Sequence, residues 1–125
     1  MHPNKIINED LENIVSADLN WKQFENKTIL ITGANGFLLA YMVETLLHLQ
    51  YCKIIERVSV IALVRNKAKA EQKFLHHRNN QSLIFVCQDV SDEFIYHEKI
   101  YFFITINKIK KNSFAFSIGK TKKNL

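Results

Sequence analysis

The stretch Thr28-Ile29-Leu30-Ile31-Thr32-Gly33-Ala34-Asn35-Gly36-Phe37-Leu38 constrains this chain more than any other, because it holds two of its only three glycines. An apolar run with strand character passes directly into Thr-Gly-x-x-Gly, and a strongly apolar helical pattern follows at once. A phosphate-binding turn needs that order. The strand carries the backbone to a sheet edge, and glycine permits a reversal that a Cβ obstructs. The N–H groups of the next helix then face an anion. Thr32, Gly33, Asn35, Gly36, Phe37 and Leu38 are the expected binding residues. The plainer alternative is an ordinary strand–turn–helix in which Asn35-Gly36 only turns the chain.

The rest of the pattern supports a βαβ unit. Apolar residues from Asn8 to Phe24 recur at roughly helical spacing, which predicts a short lead-in helix. Phe37 to Gln50 is apolar on most sides, as in a helix sandwiched between a sheet and other elements. Val58 to Val64 is a continuous β-prone run, the mark of a strand buried on both faces of a parallel sheet. Asn66 to Leu75 reads as a solvated helix capped by Asn66, and Leu83 to Cys87 as a third buried strand. Strand, helix, strand, helix, strand is the first βαβαβ half of a doubly wound parallel sheet, an α/β fold in three αβα layers.

With those residues in place, TILITGANGFL resembles the N-terminus of the extended short-chain dehydrogenase/reductases, the NAD-dependent epimerase/dehydratase family acting on nucleotide sugars. Thr32, Gly33 and Gly36 fall in register with the family's TGxxGxxG. Leu39 stands at the third glycine position, a departure, since that glycine allows close helix–strand packing; Ala40 beside it relieves some crowding. The resemblance implies a Rossmann fold, with residues 27–98 forming part of the NAD(P)-binding domain after a helical lead-in at 1–26.

Two further positions carry binding chemistry. In dinucleotide folds an acidic residue after the second strand accepts from the ribose hydroxyls, whereas an arginine there accommodates a 2′-phosphate. This chain has Arg65, which by physics alone favours NADP. The resemblance pulls towards NAD, because similar strand endings occur in NAD-dependent relatives and a guanidinium also stacks on adenine. NAD and NADP both stay open. The resemblance also assigns Asp89 and Val90 to the adenine amino group, which suits a carboxylate because it only accepts.

Composition sets the outer limits. A chain of 125 residues that is 47% hydrophobic makes one small domain with little core to spare. The net charge of +5 comes from residues 99–125, which hold seven lysines and no acid; residues 1–98 carry −2. No basic stripe with interleaved aromatics runs through the folded part, so no nucleic-acid partner is expected. Cys52 and Cys87 form no CxxC and read as reduced packing residues of a cytoplasmic protein. His76 and His77 are adjacent and are expected to point different ways, so no metal site is expected. Neither a signal peptide nor a membrane span is visible.

The pattern breaks after Lys99. The family's next strand ends in a small-residue turn beside the cofactor, where Tyr101 to Asn107 stands instead; a strand is possible there, but Ile106 and Asn107 are bulkier. Lys108 to Leu125 shows no periodicity, and residues 99–125 are read as a divergent Lys-rich tail, from truncation or a frameshift, with a natural divergent tail as the alternative. The family's Tyr-x-x-x-Lys pair is missing: Thr45, Ile55, Ile100 and Thr105 lie four positions after Tyr41, Tyr51, Tyr96 and Tyr101. No catalytic residue is assigned. The expected partner is a dinucleotide, with a nucleotide-sugar substrate only in a full-length relative, no membrane, and no oligomer implied. The reading is the cofactor-binding segment of a nucleotide-sugar epimerase, dehydratase or decarboxylase, by itself inactive. A non-catalytic NAD(P)-sensing module and a non-functional fragment are the alternatives. One sheet face is expected to be under-covered, and Ile100 to Ile106 to be prone to β-aggregation.

Overall fold

The computed structural model describes residues 2–33, 36–89, 99–110 and 113–120, with side chains as far as Ile104. Its centre is strand β1 (Lys27–Thr32), flanked in parallel by β2 (Val58–Val64) and β4 (Phe102–Lys110). β3 (Leu83–Cys87) pairs parallel to β2, and β5 (Ser113–Lys120) runs antiparallel to β4, giving the order β3-β2-β1-β4-β5. The sheet therefore grows outward from β1 in one direction and then resumes on β1's other side. That reversal is the switch point at which open α/β sheets bind ligands. The α/β doubly wound reading holds.

Alternation along the strands sorts the core into two faces. One face stacks Phe85, Ala62, Ile31 and Ile104 in a row, with Leu83, Val60, Ile29 and Phe102 in the next. Helix α2 (Phe37–Tyr51) covers it, helped by α3 (Lys67–Lys73) through Ala70 and the following Phe74, which meets Phe85 at 6.0 Å between ring centres. α2 is apolar nearly all round because it also carries α1 (Lys5–Val15) on its outer side. On the opposite face Leu30, Ile61, Leu63 and Ile100 are buried, with Ile84, Val86 and Phe103 half-buried against them. The centre of that face is thus buried, and its flanks, where Ile84, Val86 and Phe103 lie, are the part left under-covered.

Four expectations need correction. The lead-in is not one helix over Asn8–Phe24: α1 starts earlier, because the Asn4 side chain accepts from Ile6 and Ile7 N–H at 2.9 and 3.1 Å. It stops at Ser16, and Trp21–Phe24 forms a separate 3-10 turn. α3 is shorter than Asn66–Leu75, although Asn66 caps it, accepting from Lys69 N–H at 3.0 Å. β3 is an edge strand, so its residues are half-buried and Cys87 is exposed rather than packed. Finally, the strand allowed over Tyr101–Asn107 is β4, extended to Lys110, and β5 pairs with it from Ser113 to Lys120, where no periodicity was expected; Phe114, Phe116 and Ile118 in fact alternate with Ala115, Ser117 and Gly119.

Candidate functional site

At the carboxyl end of β1 the chain turns sharply. Gly33 adopts φ +70°, and its N–H still bonds Leu63 C=O at 3.2 Å, tying the turn to β2. Gly36 N–H returns to Gly33 C=O at 2.9 Å, and Gly36 C=O accepts from Ala40 at 3.0 Å, the first bond of α2. The helix thus opens straight from the reversal. No side chain caps it, and no acidic residue stands in its first turn. The N-terminal N–H groups of a helix lack partners within the helix and carry the positive end of its dipole, so this end suits an anion.

Each glycine has a steric reason. A Cβ on Gly33 would lie 3.3 Å from Leu39 Cδ1 in a backbone region that side chains rarely adopt, and a Cβ on Gly36 would lie 3.3 Å from Gly33 O. Leu39 is 3% exposed and fills the space beneath the turn, which is how the chain manages without a third glycine. Thr32 is buried at the strand end, Leu38 is exposed, and Phe37 is exposed with its ring 5.2 Å from that of Tyr41. Asn35 and Val90 lie outside the described residues.

Arg65 and Asp89, read separately from the sequence, stand together on neighbouring strand ends. Gln88 N–H bonds Val64 C=O at 3.0 Å, which continues the β2–β3 ladder and brings Asp89 Oδ2 to 3.4 Å from Arg65 Nη2. Both side chains are solvated, so the pair contributes little stability. It does form a donor–acceptor couple on the same sheet edge as the glycine turn.

Two groups of side chains escaped the sequence reading. Glu44, buried on α2, accepts from two adjacent rings of the 3-10 turn Leu75–His77: His76 Nε2 at 2.7 Å on one oxygen and His77 Nε2 at 2.6 Å on the other. The two histidines do not point different ways; the tight turn brings both to one carboxylate. His2 Nε2 adds a third contact at 3.4 Å. Burial works to raise the Glu44 pKa, but the His77 and His76 rings outweigh it and hold the carboxyl below its ordinary value. His76 is lowered, first by burial, against the opposing pull of Glu44. The second group is Glu12, His48 and Cys52 between α1 and α2. Its one sequence signal is the four-residue spacing of His48 and Cys52.

No protein-family model matches the chain. It is 43% identical over 56 residues to the protein named "Putative fatty acyl-CoA reductase 7" of Arabidopsis thaliana, a stretch covering 44% of this chain and 13% of that protein. The chain thus matches only a small part of that protein's length, and its parallel α/β sheet fits a dinucleotide-binding, Rossmann-like fold. Among the described residues, no helix is long and apolar enough to cross a membrane.

Proposed function

We propose that this chain forms the dinucleotide-binding start of an NAD(P)-dependent reductase, with the Thr32–Leu38 turn seating the pyrophosphate at the N-terminus of α2. The geometry of the two glycines carries this reading. Gly33 needs its positive φ, and both glycines leave a cradle that a Cβ would fill, at the switch-point edge of the sheet. When bound, the nicotinamide cofactor supplies or accepts a hydride. The chain's own residues bind and orient: backbone N–H groups of the turn hold the phosphates, while Arg65 and Asp89 meet the adenosine end.

The Arg65–Asp89 couple bears on cofactor choice. A 2′-phosphate needs uncompensated positive charge, and Asp89 3.4 Å away offsets that of Arg65. Hydroxyls fit a donor–acceptor couple better, which favours NAD. For the substrate, the relative's name puts an acyl thioester first. The resemblance of Thr28–Leu38 to the epimerase/dehydratase family keeps a nucleotide sugar as the second reading. The free Cys52 and Cys87 fit a cytoplasmic location, and a non-catalytic sensing role fits a chain that lacks the Tyr-x-x-x-Lys pair.

Calorimetric titration of the full chain with NAD, NADH, NADP and NADPH tests the proposal. Binding is expected for the wild type, tighter for the NAD forms, and lost in Gly33→Val. Arg65→Asp is expected to keep NAD binding and weaken NADP further. Equal affinity of wild type and Gly33→Val, or no binding by either, overturns the assignment.

A further inference from the structure

Away from the nucleotide edge, the far end of α2 gathers a second set of donor atoms. His48 and the helix C-cap Cys52 are four residues apart, and Cys52 N–H bonds His48 C=O at 2.8 Å, which keeps both side chains on one helix face. Glu12 reaches them from α1, whose packing on α2 fixes its approach. The imidazole nitrogen, the carboxylate oxygen and the thiol sulfur all lie within 4.8 Å of one another.

The buried member of this trio points to a ligand. The His48 side chain is 3% exposed, and its Nε2 makes no hydrogen bond; Glu12 Oε1 is 3.2 Å away but not aligned for one. A buried nitrogen with no aligned partner is unfavourable unless something else satisfies it. The neighbouring Glu44 group differs in this respect. Both of its oxygens accept from rings, and His2 Nδ1 accepts from Asn4 N–H at 3.0 Å, so that network is satisfied by the protein.

We propose that Glu12, His48 and Cys52 form a tripod for a divalent transition metal ion of the zinc type. Imidazole, thiolate and carboxylate are the donors zinc takes, and mixed sulfur and nitrogen ligation disfavours magnesium and calcium. The 3.2 Å between His48 Nε2 and Glu12 Oε1 matches a tetrahedral edge, about 3.3 Å for metal–ligand bonds of about 2.0–2.1 Å. On binding, the Cys52 S–H bond breaks, its proton leaves to solvent, and the sulfur lone pair forms the metal–sulfur bond. The negative end of the α2 dipole adds attraction for a cation. Three protein ligands leave a fourth position for water, and the ion ties α1 to α2.

Titration of the full chain with cobalt(II), followed by displacement with zinc(II), tests the site. Saturation at one equivalent is expected, with tetrahedral d–d bands and a thiolate-to-cobalt charge-transfer band. Cys52→Ser is expected to abolish the charge-transfer band and Cys87→Ser to keep it. Glu12→Gln, on a half-exposed side chain that folding tolerates, is expected to weaken binding roughly tenfold or more. Zinc is expected to raise the melting temperature of the wild type and not of Cys52→Ser. No charge-transfer band, a band that survives Cys52→Ser, or binding abolished by Glu44→Gln and untouched by Glu12→Gln overturns the proposal.

Discussion

Gly33 and Gly36 serve the same turn for different reasons, and substitution separates them. Valine at position 33 meets both the left-handed backbone, which costs about 1–2 kcal/mol, and the Leu39 side chain 3.3 Å from its Cβ. Alanine at position 36 sits at an ordinary φ of −72° and must only displace Gly33 O slightly. Gly36→Ala is therefore expected to fold with near wild-type stability and bind dinucleotide more weakly. Calorimetry paired with thermal melts checks this, and unchanged affinity in Gly36→Ala would remove the close-approach role. The Glu44 group gives a second prediction at this scale. Glu44 and His76 both hold folded-state pKa values below their ordinary ones. Between folded and unfolded values the unfolded chain binds more protons, so stability rises with pH across that window. Stability is expected to fall as pH drops below about 6.5, where unfolded histidine protonates, and again below about 4.3 as Glu44 takes up its proton. Urea melts from about pH 8 to about pH 3 read both steps. His76→Gln is expected to remove the upper step, and a profile unchanged by it would deny His76 that part. Of these residues the glycines were legible in the sequence because their constraint is local. The histidine pair was not, since Glu44 lies 32 and 33 positions from its partners.

Elements formed by continuous β-branched runs were read to the residue: Val58–Val64 and Leu83–Cys87 are the observed β2 and β3. Burial of both faces at Val60, Ile61, Ala62 and Leu63 leaves no register in which a polar side chain would fit better. The lead-in was misread because helical spacing continues past Ser16 in the apolar residues while Asp18 and Asn20 break the backbone pattern. β5 was missed because the flanking lysines and asparagines mask its two-residue alternation. Burial also ranks the elements energetically. Ile31 is fully buried in β1, in a row with Ala62 and Ile104, so Ile31→Ala is expected to cost about 2–5 kcal/mol. Ile6 on α1 is 69% exposed, and Ile6→Ala is expected to change stability by less than about 0.5 kcal/mol. Denaturant melts of both variants measure the contrast. Similar losses in the two would mean that β1 is not the centre of the core.

The sheet's order decides where the whole molecule is vulnerable. Ile100 to Ile106 is a β-prone window with no charge across seven residues, an aggregation hazard. As an edge it would offer a template of unpaired N–H and C=O groups to other chains. In the fold it is an inner strand: Ile29–Ile31 pairs along one side of β4, and β5 pairs along the other from Phe102 to Lys110. β5 therefore serves as a cover whose outer edge ends in Lys120, and lysine on an edge strand discourages pairing. The same pairing crosses from residues 27–32 to residues 102–104, so the Lys-rich stretch is part of the sheet that presents the glycine turn. Removing residues 111–125 deletes β5 and exposes β4 without touching the turn, Arg65 or Asp89. The truncated chain is expected to aggregate faster than the full one at equal concentration, with thioflavin T binding that the full chain lacks. Adding Ile104→Lys would not serve as a rescue, because Ile104 is buried beside Ile31 and an unpaired lysine there is expected to destabilise the core. Thr105→Lys breaks the uncharged window at its one polar position and is expected to slow the truncated chain's aggregation. Light scattering and thioflavin kinetics on the three chains decide the matter: equal rates for full and truncated proteins would mean that β5 protects nothing.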